Sequence, residues 1–314
     1  MTENPETQVL VGIDLGGTKI EGVVIEADRP DTALARLRVP TEREQGYDHI
    51  LGRICGLIDT LSGAHPEAAR VAVGIATPGT WDPLTQTLRG SNTQCLNVKP
   101  LRSDLANRLG RAVSIENDAN CFVMAEATLG SARGYETVFG IILGTGCGGA
   151  FVANGRLLRG RHGIAGEWGQ LVVEPGGDVS PHGTHGTLEA YIAGPALEDF
   201  YAHESGSRRS LIEIADRADE DPAAGLTMER LAHYFTQGLA AVVDVLDPHA
   251  IVIGGGVGNC ALLYSDTLRR RLSSAIFAPS FEAAILRPTL GDSAGVFGAA
   301  LLTRDGPGCA NDRD

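Results

Sequence analysis

The sequence lacks three features that would assign it at once to a common class of protein. It has no excess of basic residues, because its net charge is −13, whereas nucleic-acid binding needs a basic face. It has no apolar run as long as the roughly 18 residues of a membrane-spanning helix. Its first eight residues are polar and acidic, unlike a signal peptide. We therefore expect a cytoplasmic protein with neither nucleic-acid nor membrane partners.

Closely spaced cysteines are also missing. The six cysteines lie at least 26 positions apart, which excludes the Cys-x-x-Cys pairs of metal and redox sites. Several lie in apolar segments, so we expect buried free thiols in a reducing compartment. The 314 residues, 43% of them hydrophobic, suffice for two domains with their own cores.

The most informative segment runs from Val11 to Lys19. An apolar strand reaches Asp14 and then a Gly16-Gly17-Thr18 turn, and a second apolar strand follows. Paired glycines allow backbone N–H groups to approach an anion, and an acid at a strand end can hold hydrated Mg²⁺. The segment predicts a nucleotide phosphate site, and the alternative is a plain β-hairpin with Asp14 in its turn.

The same pattern returns 128 positions later. Gly144-Thr145-Gly146 follows a strand that aligns with the first one, but Ile142 takes the place of Asp14. The second turn can therefore bind phosphate through its backbone, but it cannot bind a metal. Two related halves with such turns indicate a nucleotide held in a cleft between them.

The rest of the pattern is typical of two α/β domains joined by a hinge. We predict domains at 1–136 and 137–290, a helix near 291–303 that packs back on the first, and a disordered tail at 304–314. The predicted elements are a hairpin at 9–27, a strand at 35–39, a helix at 47–61, a strand at 71–75, a helix at 101–109, a strand at 113–115, a helix at 119–129, a hairpin from 137, a glycine-rich loop at 160–186, helices over 188–246 and a strand at 251–253.

Polar residues follow the predicted strand at 113–115. Asp118 is a candidate general base for a hydroxyl that accepts a phosphoryl group, and Asn117 could hold a neighbouring hydroxyl. The alternative is that one of them only caps the following helix, because Asn and Asp are good N-cap residues.

Further candidates lie on loops. Glu167, Gln170 and Glu189 flank the glycine-rich loop and could accept sugar hydroxyls, unless they are only solvated loop residues. Asn92 follows the Pro78-Gly79 loop and could line the same pocket, as could Thr93 and Asn97. The triplet Gly254-Gly255-Gly256 after a buried strand would allow a flat ring or a ribose to approach closely.

Taken together, these motifs resemble those of the bacterial ROK sugar kinases, in order and spacing, over roughly residues 9 to 303. The resemblance rests on Asp14-Leu-Gly-Gly-Thr-Lys, Glu116-Asn-Asp-Ala-Asn, Gly144-Thr-Gly-Cys-Gly-Gly, Gly166-Glu-Trp-Gly and Gly254-Gly-Gly. It implies two actin-like (ribonuclease H-like) α/β domains of the hexokinase superfamily, ATP and Mg²⁺, and a homodimer. It also implies that Asp118 is the base, that Asn117, Glu167 and Glu189 bind the sugar, and that Gln170 takes the place of a histidine that touches the sugar. Gly79 and Asn92 are further candidate sugar contacts.

One departure from the family is large. The family commonly holds a structural zinc with one histidine and three cysteines, but the corresponding positions here are Gln170, Ser180, His182 and Thr187. Three of these four are poor zinc ligands, so we expect no zinc site. The pair His182 and His185 could suggest a replacement, but two histidines on a glycine loop are more often only polar loop residues.

The sequence thus predicts an ATP-dependent kinase that phosphorylates a hexose, at O6 by the resemblance. Ala165-Gly-Glu-Trp-Gly and Asn92-Thr-Gln-Cys-Leu-Asn97 are most like bacterial fructokinases with mannokinase activity, so fructose or mannose is the first expectation. Glucose or an N-acetylhexosamine is the alternative within the family. A catalytically weak sugar-binding protein is a further alternative, and a ROK-type repressor is disfavoured by the acidic charge.

Overall fold

The computed structural model describes residues 8–304, so the predicted tail lies, apart from Arg304, outside the described residues. The chain divides into two compact units. Unit 1 comprises residues 8–130, 159–165 and 290–304, and unit 2 comprises residues 131–158 and 166–289. The ranges 1–136 and 137–290 remain a prediction about folding domains, which contacts alone do not test. No helix among residues 8–304 is long and apolar enough to cross a membrane.

Unit 1 is built on a five-stranded sheet of order β3-β2-β1-β4-β7. Its elements are β1 (Val9–Leu15), β2 (Lys19–Glu26), β3 (Ala33–Pro40), α1 (Tyr47–Ala64), β4 (Val73–Thr77), the two-stranded hairpin β5 (Thr80–Asp82) and β6 (Thr87–Arg89), α2 (Leu101–Leu109), β7 (Val113–Asn117), α3 (Asp118–Thr128) and, late in the chain, α9 (Ala294–Leu301). Strands β1, β2 and β3 are antiparallel neighbours, whereas β1, β4 and β7 run parallel.

Unit 2 repeats this architecture with the sheet order β10-β9-β8-β11-β12. Its elements are β8 (Thr137–Leu143), β9 (Cys147–Ala153), β10 (Arg156–Leu158), α4 (Glu189–Ile192), α5 (Gly194–Ser205), α6 (Leu211–Asp216), α7 (Pro222–Leu246), β11 (Ala250–Gly254), α8 (Asp266–Ala275) and β12 (Ala284–Leu286). An antiparallel three-stranded meander followed by two parallel strands occurs in both units, which confirms the internal repeat predicted from the two glycine turns.

The helix α1 covers one face of the first sheet. Its predicted apolar stripe is buried, with no member more than 3% exposed: Ile50, Leu51, Ile54, Leu57, Ile58 and Leu61. Spacing of three and four residues puts these side chains on one side of the helix. They pack into the same core as the inward-facing side chains of β1 and β4.

The helix α9 covers the opposite face of the first sheet at very short range. A Cβ atom on Gly12 or on Gly74 would overlap with a backbone carbonyl oxygen of α9, and one on Gly298 would overlap with α3. Glycine in a strand often marks such a close backbone approach. The strand and helix glycines therefore fix α9 against β1 and β4, which is what brings its first turn to Asp14.

Some predicted boundaries were wrong. The strand predicted at 113–115 continues to Asn117, because Ala76 and Thr77 of β4 pair with Glu116 and Asn117. The C-terminal helix begins with a separate 3₁₀ turn, Gly291–Ser293, before the α-helix. The hairpin β5–β6 and the edge strands β10 and β12 were not predicted, because three residues are too few to show a periodic pattern.

Candidate active site

Each unit carries a glycine turn between the first two strands of its sheet, and in both turns the first glycine donates a backbone hydrogen bond across the turn. In unit 1 the N–H of Gly16 donates to the carbonyl oxygen of Lys19 at 2.9 Å, and in unit 2 the N–H of Gly144 donates to that of Gly146 at 3.0 Å. The next two N–H groups in each turn donate to no acceptor among the described residues; they belong to Gly17, Thr18, Thr145 and Gly146. Adjacent open N–H groups in a turn form a concave site for an anion.

The first turn is held by a residue that sequence reasoning missed. The buried hydroxyl of Thr41 donates to the carbonyl oxygen of Gly16 at 2.7 Å, and the Thr41 N–H donates to that of Thr18 at 2.9 Å. The exposed guanidinium of Arg43 also lies beside this turn, 3.3 Å from where a Cβ atom on Gly17 would be. Both residues follow β3, so only the antiparallel pairing of β3 with β2 could have indicated their position.

Asp14 lies at the end of β1 in an acidic environment. Burial, followed by the charges of Asp118 and Glu21, raises the pKa of Asp14 to about 7, although Lys19 partly opposes the rise. Glu21 is the register partner of Asp14 on β2. A carboxylate with a pKa raised in this way is strongly stabilised by a cation, because a nearby positive charge favours its ionised form.

Asp118 is the first residue of α3, and its side chain reaches solvent. The protein atoms that surround its carboxylate raise its pKa, while hydrogen bonds from the Ala119 N–H and the Asn117 side chain lower it. The effect of Asp118 on the pKa of Asp14 shows that the two carboxylates share one electrostatic environment.

Asn117 is the N-cap of α3, as one of the alternatives from the sequence predicted. Its Oδ1 atom accepts a hydrogen bond from the Ala119 N–H at 2.8 Å, and its Nδ2 atom donates to the carbonyl oxygen of Gly79 at 3.2 Å. An amide nitrogen carries two hydrogens, and the Asn117 side chain also donates to the Asp118 carboxylate, so both of its donors are engaged within the protein. Asn117 therefore caps α3 and helps to orient Asp118.

The strand end before Asp118 is fixed by a buried ion pair. Glu116 is 4% exposed, and its Oε2 atom accepts a hydrogen bond from Nε of Arg159 at 2.5 Å. Its Oε1 atom accepts from Nδ2 of Asn120 at 2.7 Å and from the N–H of Asn117 at 3.0 Å. Both oxygens are thus satisfied, and the network holds the segment 159–165 on unit 1. Sequence reasoning missed Arg159, which is 43 positions from its partner.

The loop after β4 places two further candidates. Gly79 has a φ of +104°, and a Cβ atom there would lie 2.7 Å from the carbonyl oxygen of Arg89, so only glycine fits. Asn92 is exposed on the segment that follows β6. The side chain of Asn97 is engaged by the backbone of Ser91 through two contacts of 2.9 Å, so it shapes the loop.

In unit 2, the segment Gly166–Gly169 is docked closely on β9. A Cβ atom on Gly166 would lie 2.6 Å from the Gly149 carbonyl oxygen, and one on Gly169 would overlap with that of Cys147. Between these two glycines, the buried Trp168 donates from Nε1 to the Gly148 carbonyl oxygen at 3.0 Å. Glu167 therefore stands on a rigid turn. Its charge and that of Glu189 both contribute to the raised pKa of Cys147, after burial, so the two acids lie near the same point.

Glu189 is the first residue of α4 and lies directly beside the second glycine turn. Its Oε2 atom accepts a hydrogen bond from the Cys147 N–H at 3.0 Å. A Cβ atom on Gly146 would come within 3.1 Å of the same oxygen. The triplet Gly254–Gly256 also reaches this turn, because the Gly256 nitrogen lies 3.7 Å from a Cβ position on Gly144. Unit 2 thus brings together its glycine turn, its acids and the triplet.

The three glycines of that triplet differ in their surroundings. Gly254 ends β11 and is buried, whereas Gly255 has a φ of +86° and packs against the backbone of Leu143. Gly256 is exposed and has no atom within 4 Å of a Cβ position. Gly256 alone therefore leaves open space for a flat group, and the other two shape the turn.

The loop that corresponds to the family's zinc site is held by hydrogen bonds. The Ser180 N–H donates to the Thr184 carbonyl oxygen at 2.9 Å, and the Gly186 N–H donates to that of Asp178 at 2.8 Å. Gln170 lies half-buried in a 3₁₀ turn, Trp168–Gln170. Among residues 8–304 no group of three or more His, Cys, Asp or Glu side chains could hold a metal ion. The absence of a structural zinc stays a prediction.

Comparison with known proteins gives the family. The ROK family model matches residues 10–306. An N-acetyl-D-glucosamine kinase of Pectobacterium atrosepticum is 37% identical over 307 residues, covering 93% of this chain and 97% of the relative.

Two solved structures are similar over 95% of this chain and the whole of their own. The ROK hexokinase of Thermus thermophilus has a TM-score of 0.81 at 34% identity. A ROK family glucokinase of Streptomyces griseus in complex with glucose and AMPPNP has a TM-score of 0.75 at 30% identity. The fold predicted from the sequence is thereby confirmed as that of the ROK hexokinases, and the chain belongs to the ROK family.

Proposed function

We propose that the protein transfers the γ-phosphoryl group of ATP to a hydroxyl of an N-acetylhexosamine, with N-acetylglucosamine as the first candidate. The protein is a sugar kinase, but the fructose or mannose preference drawn from its sequence is not confirmed. The observation that carries the proposal is the likeness to N-acetyl-D-glucosamine kinases over nearly the full length of both chains. Glucose is the second candidate, because a glucokinase that is 30% identical to the chain binds it.

The two glycine turns support a role in binding the phosphates of ATP. Each offers two adjacent backbone N–H groups that have no protein acceptor in the described part of the chain. Such donors bind a phosphate oxygen without the loss of side-chain entropy that a long basic side chain would bring. The open space at Gly256 suits the flat part of the nucleotide. Thr18 and Lys19 would add a hydroxyl and a positive charge at the first turn.

The residues around Asp14 fit a magnesium ion. Mg²⁺ needs only one or two carboxylates, since water and substrate phosphates complete its coordination. Burial and the charges of Asp118 and Glu21 raise the pKa of Asp14 to about 7, and a divalent cation would stabilise the ionised carboxylate. When bound, the ion neutralises charge on the transferred phosphoryl group. Asp14 would hold it through water.

Asp118 would take the proton from the sugar hydroxyl as the phosphoryl group arrives. A base works best when its pKa lies near the operating pH, and the atoms around this carboxylate shift its pKa in that direction. Sugar hydroxyls would be bound by Asn117 in unit 1 and by Glu167 and Glu189 in unit 2, and Gly79, Asn92 and Gln170 are further proposed sugar contacts. Because little covalent chemistry is needed, positioning supplies most of the rate.

Other expectations stay predictions about this protein. A homodimer was implied by the family resemblance. A cytoplasmic location and the absence of nucleic-acid and membrane partners rest on composition and charge. None of them enters the mechanism.

The direct test is a screen of sugars with the purified protein, ATP and MgCl₂, with ADP release as the readout. The panel contains N-acetylglucosamine, N-acetylmannosamine, glucose, mannose and fructose. We expect the highest kcat/KM with an N-acetylhexosamine and phosphate on the product's O6 by ³¹P NMR. A higher kcat/KM for fructose or mannose would contradict the proposal. ATP hydrolysis that no sugar stimulates would contradict the kinase activity itself.

A further inference from the structure

One oxygen of the Glu189 carboxylate has no hydrogen-bond partner, although the side chain is only 8% exposed. Its Oε2 atom accepts the Cys147 N–H at 3.0 Å, but no donor within the described residues reaches its buried Oε1 atom. A buried acceptor that is left unsatisfied costs free energy. Since the other oxygen is held in place, the orphaned oxygen is fixed in position and suited to a ligand.

The imidazole of His182 lies close to this oxygen. The Nε2 atom of His182 lies 3.5 Å from Oε1 of Glu189, which is too long for a strong hydrogen bond. The His182 side chain is 54% exposed, so it borders solvent while Glu189 does not. The pair therefore reaches solvent through His182, while the Oε1 atom of Glu189 is buried.

The backbone around His182 is defined. The Gly183 N–H donates to the Ser180 carbonyl oxygen at 2.9 Å, and Gly183 has a φ of +81°, which glycine adopts without strain. The Ser180 N–H donates to the Thr184 carbonyl oxygen, which closes the loop on its other side. His182 thus projects from a small closed loop and not from a free segment.

The separation of these two atoms suits one hydroxyl group. A hydroxyl oxygen can lie about 2.8 Å from each of two atoms that are 3.5 Å apart, accepting from Nε2–H and donating to Oε1. This arrangement gives Oε1 of Glu189 the hydrogen bond that it lacks in the protein alone. When Nε2 of His182 carries a proton, a group that only donates or only accepts cannot make both bonds.

We propose that His182 and Glu189 together bind a single hydroxyl of the sugar, so that His182 is a specificity-determining substrate contact. This inference rests on the proposed function, because a sugar is the polyhydroxyl ligand that a kinase of this family would bind. Neither the position of His182 in the sequence nor its residue type indicated the role. The orphaned oxygen of Glu189 indicates it.

The test compares three variants. His182→Ala removes the donor, His182→Gln keeps an amide N–H near the position of Nε2, and His185→Ala is the matched control. His185 lies on the same loop, but its Nδ1 atom contacts the Gly177 carbonyl oxygen at 3.0 Å. Sugar affinity is measured by calorimetry without ATP, and KM for sugar and for ATP by steady-state kinetics.

We expect His182→Ala to weaken sugar binding about three- to tenfold, the range for one hydrogen bond. The KM for ATP and the kcat should stay within about twofold of the wild-type values, because the contact is equal in ground and transition states. His182→Gln should recover most of the affinity, and His185→Ala should bind like the wild type. Unchanged sugar affinity in His182→Ala, or an equal loss in His185→Ala, would overturn the inference.

A second measurement separates a direct contact from a change in the loop. Monodeoxy analogues of the sugar are tested against the wild type and His182→Ala. The analogue that lacks the bound hydroxyl should lose less affinity for His182→Ala than for the wild type, because the variant has already lost one of the two bonds that this hydroxyl makes. Equal losses for all analogues in the variant would overturn the inference. A wild type that binds sugar but does not phosphorylate it would contradict the proposed function alone, while one that binds none of the sugars would contradict both.

Discussion

The carboxylate of Asp14 lies directly against Gly295, in the first turn of α9. A Cβ atom on Gly295 would come within 2.9 Å of Oδ2 of Asp14. Asp14 and Gly295 are 281 positions apart in the chain, and the close packing of α9 on Gly12 and Gly74 brings them together. The helix α9 therefore limits the space around this carboxylate.

Replacing Gly295 by alanine should impair catalysis more than folding. The added methyl group can be accommodated only if the Asp14 carboxylate moves, and a carboxylate at the end of a short side chain can turn away at little cost in stability. We expect kcat to fall by about tenfold or more, because misplacement by 1 Å can cost on the order of 10²-fold, with an unchanged melting temperature. Gly63→Ala in α1, where a Cβ atom meets nothing within 4 Å, is the control. Equal activity of the two variants would contradict the positioning role of Gly295.

The raised pKa of Asp14 makes stability depend on pH when no divalent cation is present. The pKa is about 7 in the folded protein against 3.8 for the free side chain. Between these values the folded chain keeps a proton that the unfolded chain has lost. The free energy of unfolding should therefore fall as pH rises from about 4 to 7.

Differential scanning calorimetry in EDTA between about pH 4 and 7 tests this pH dependence of stability. Asp14→Asn cannot titrate, so its melting temperature should fall less with rising pH than that of the wild type. Mg²⁺ should bind more tightly as pH rises through 7 and should release protons, which calorimetry in two buffers of different ionisation enthalpy measures. Parallel pH profiles of wild type and variant would show that the pKa of Asp14 is ordinary.

The ion pair of Arg159 with Glu116 should contribute to stability. Arg159→Met keeps the aliphatic stem but leaves the 4% exposed Glu116 without its opposite charge. Losing one partner of a fully buried pair lowers the free energy of unfolding by about 3–5 kcal/mol. Since the Arg159 side chain is 36% exposed, we expect a smaller loss of about 1–3 kcal/mol, measured by urea denaturation. Arg29→Met, which removes an exposed pair with Glu26, should cost less than about 1 kcal/mol. Similar losses in the two variants would contradict the account of Arg159.

Local pattern was sufficient to predict most of the fold. The apolar spacing of α1 and the two hairpins are set by neighbours in the sequence, and they were predicted closely. The glycines at positions 12, 74 and 298 indicate close backbone approach, but a sequence does not say to which element. The packing of α9 on β1 and β4 depends on contacts across most of the chain, and for that reason only the structure gives its detail.

The same distinction between local pattern and distant contacts applies to the residues of the candidate site. Asp14 and Gly144 were found because a repeated motif marks them. Asn117 has both of the local signals expected, a strand end and a helix start, and the structure shows its capping bond. Arg159 and the pairing of His182 with Glu189 have no local signal, because their partners are brought near by the path of a loop.

Three of the four zinc-ligand positions of the family hold poor zinc ligands here, so we predict a protein without structural zinc. Backbone hydrogen bonds of Ser180 and Gly186 hold the loop that corresponds to the family's zinc site, and a structural zinc would otherwise supply folding free energy. Purified protein should contain no stoichiometric zinc by elemental analysis. EDTA should abolish activity by removing Mg²⁺, but in buffer to which no Mg²⁺ has been added it should leave the melting temperature at pH 8 unchanged. About one zinc per chain, with a lower melting temperature in EDTA, would instead indicate His182 and His185 as ligands.

The account depends above all on Asp118 as the base for phosphoryl transfer. Asp118→Asn keeps the shape of the side chain and can still accept the Ala119 N–H, now 2.8 Å from Oδ1, but it cannot take a proton. The decisive measurement is the kcat of this variant with N-acetylglucosamine, together with its sugar affinity by calorimetry. We predict that kcat falls on the order of 10²- to 10⁴-fold, with sugar affinity within about threefold of the wild type. A kcat close to that of the wild type, with sugar bound normally, would contradict the account.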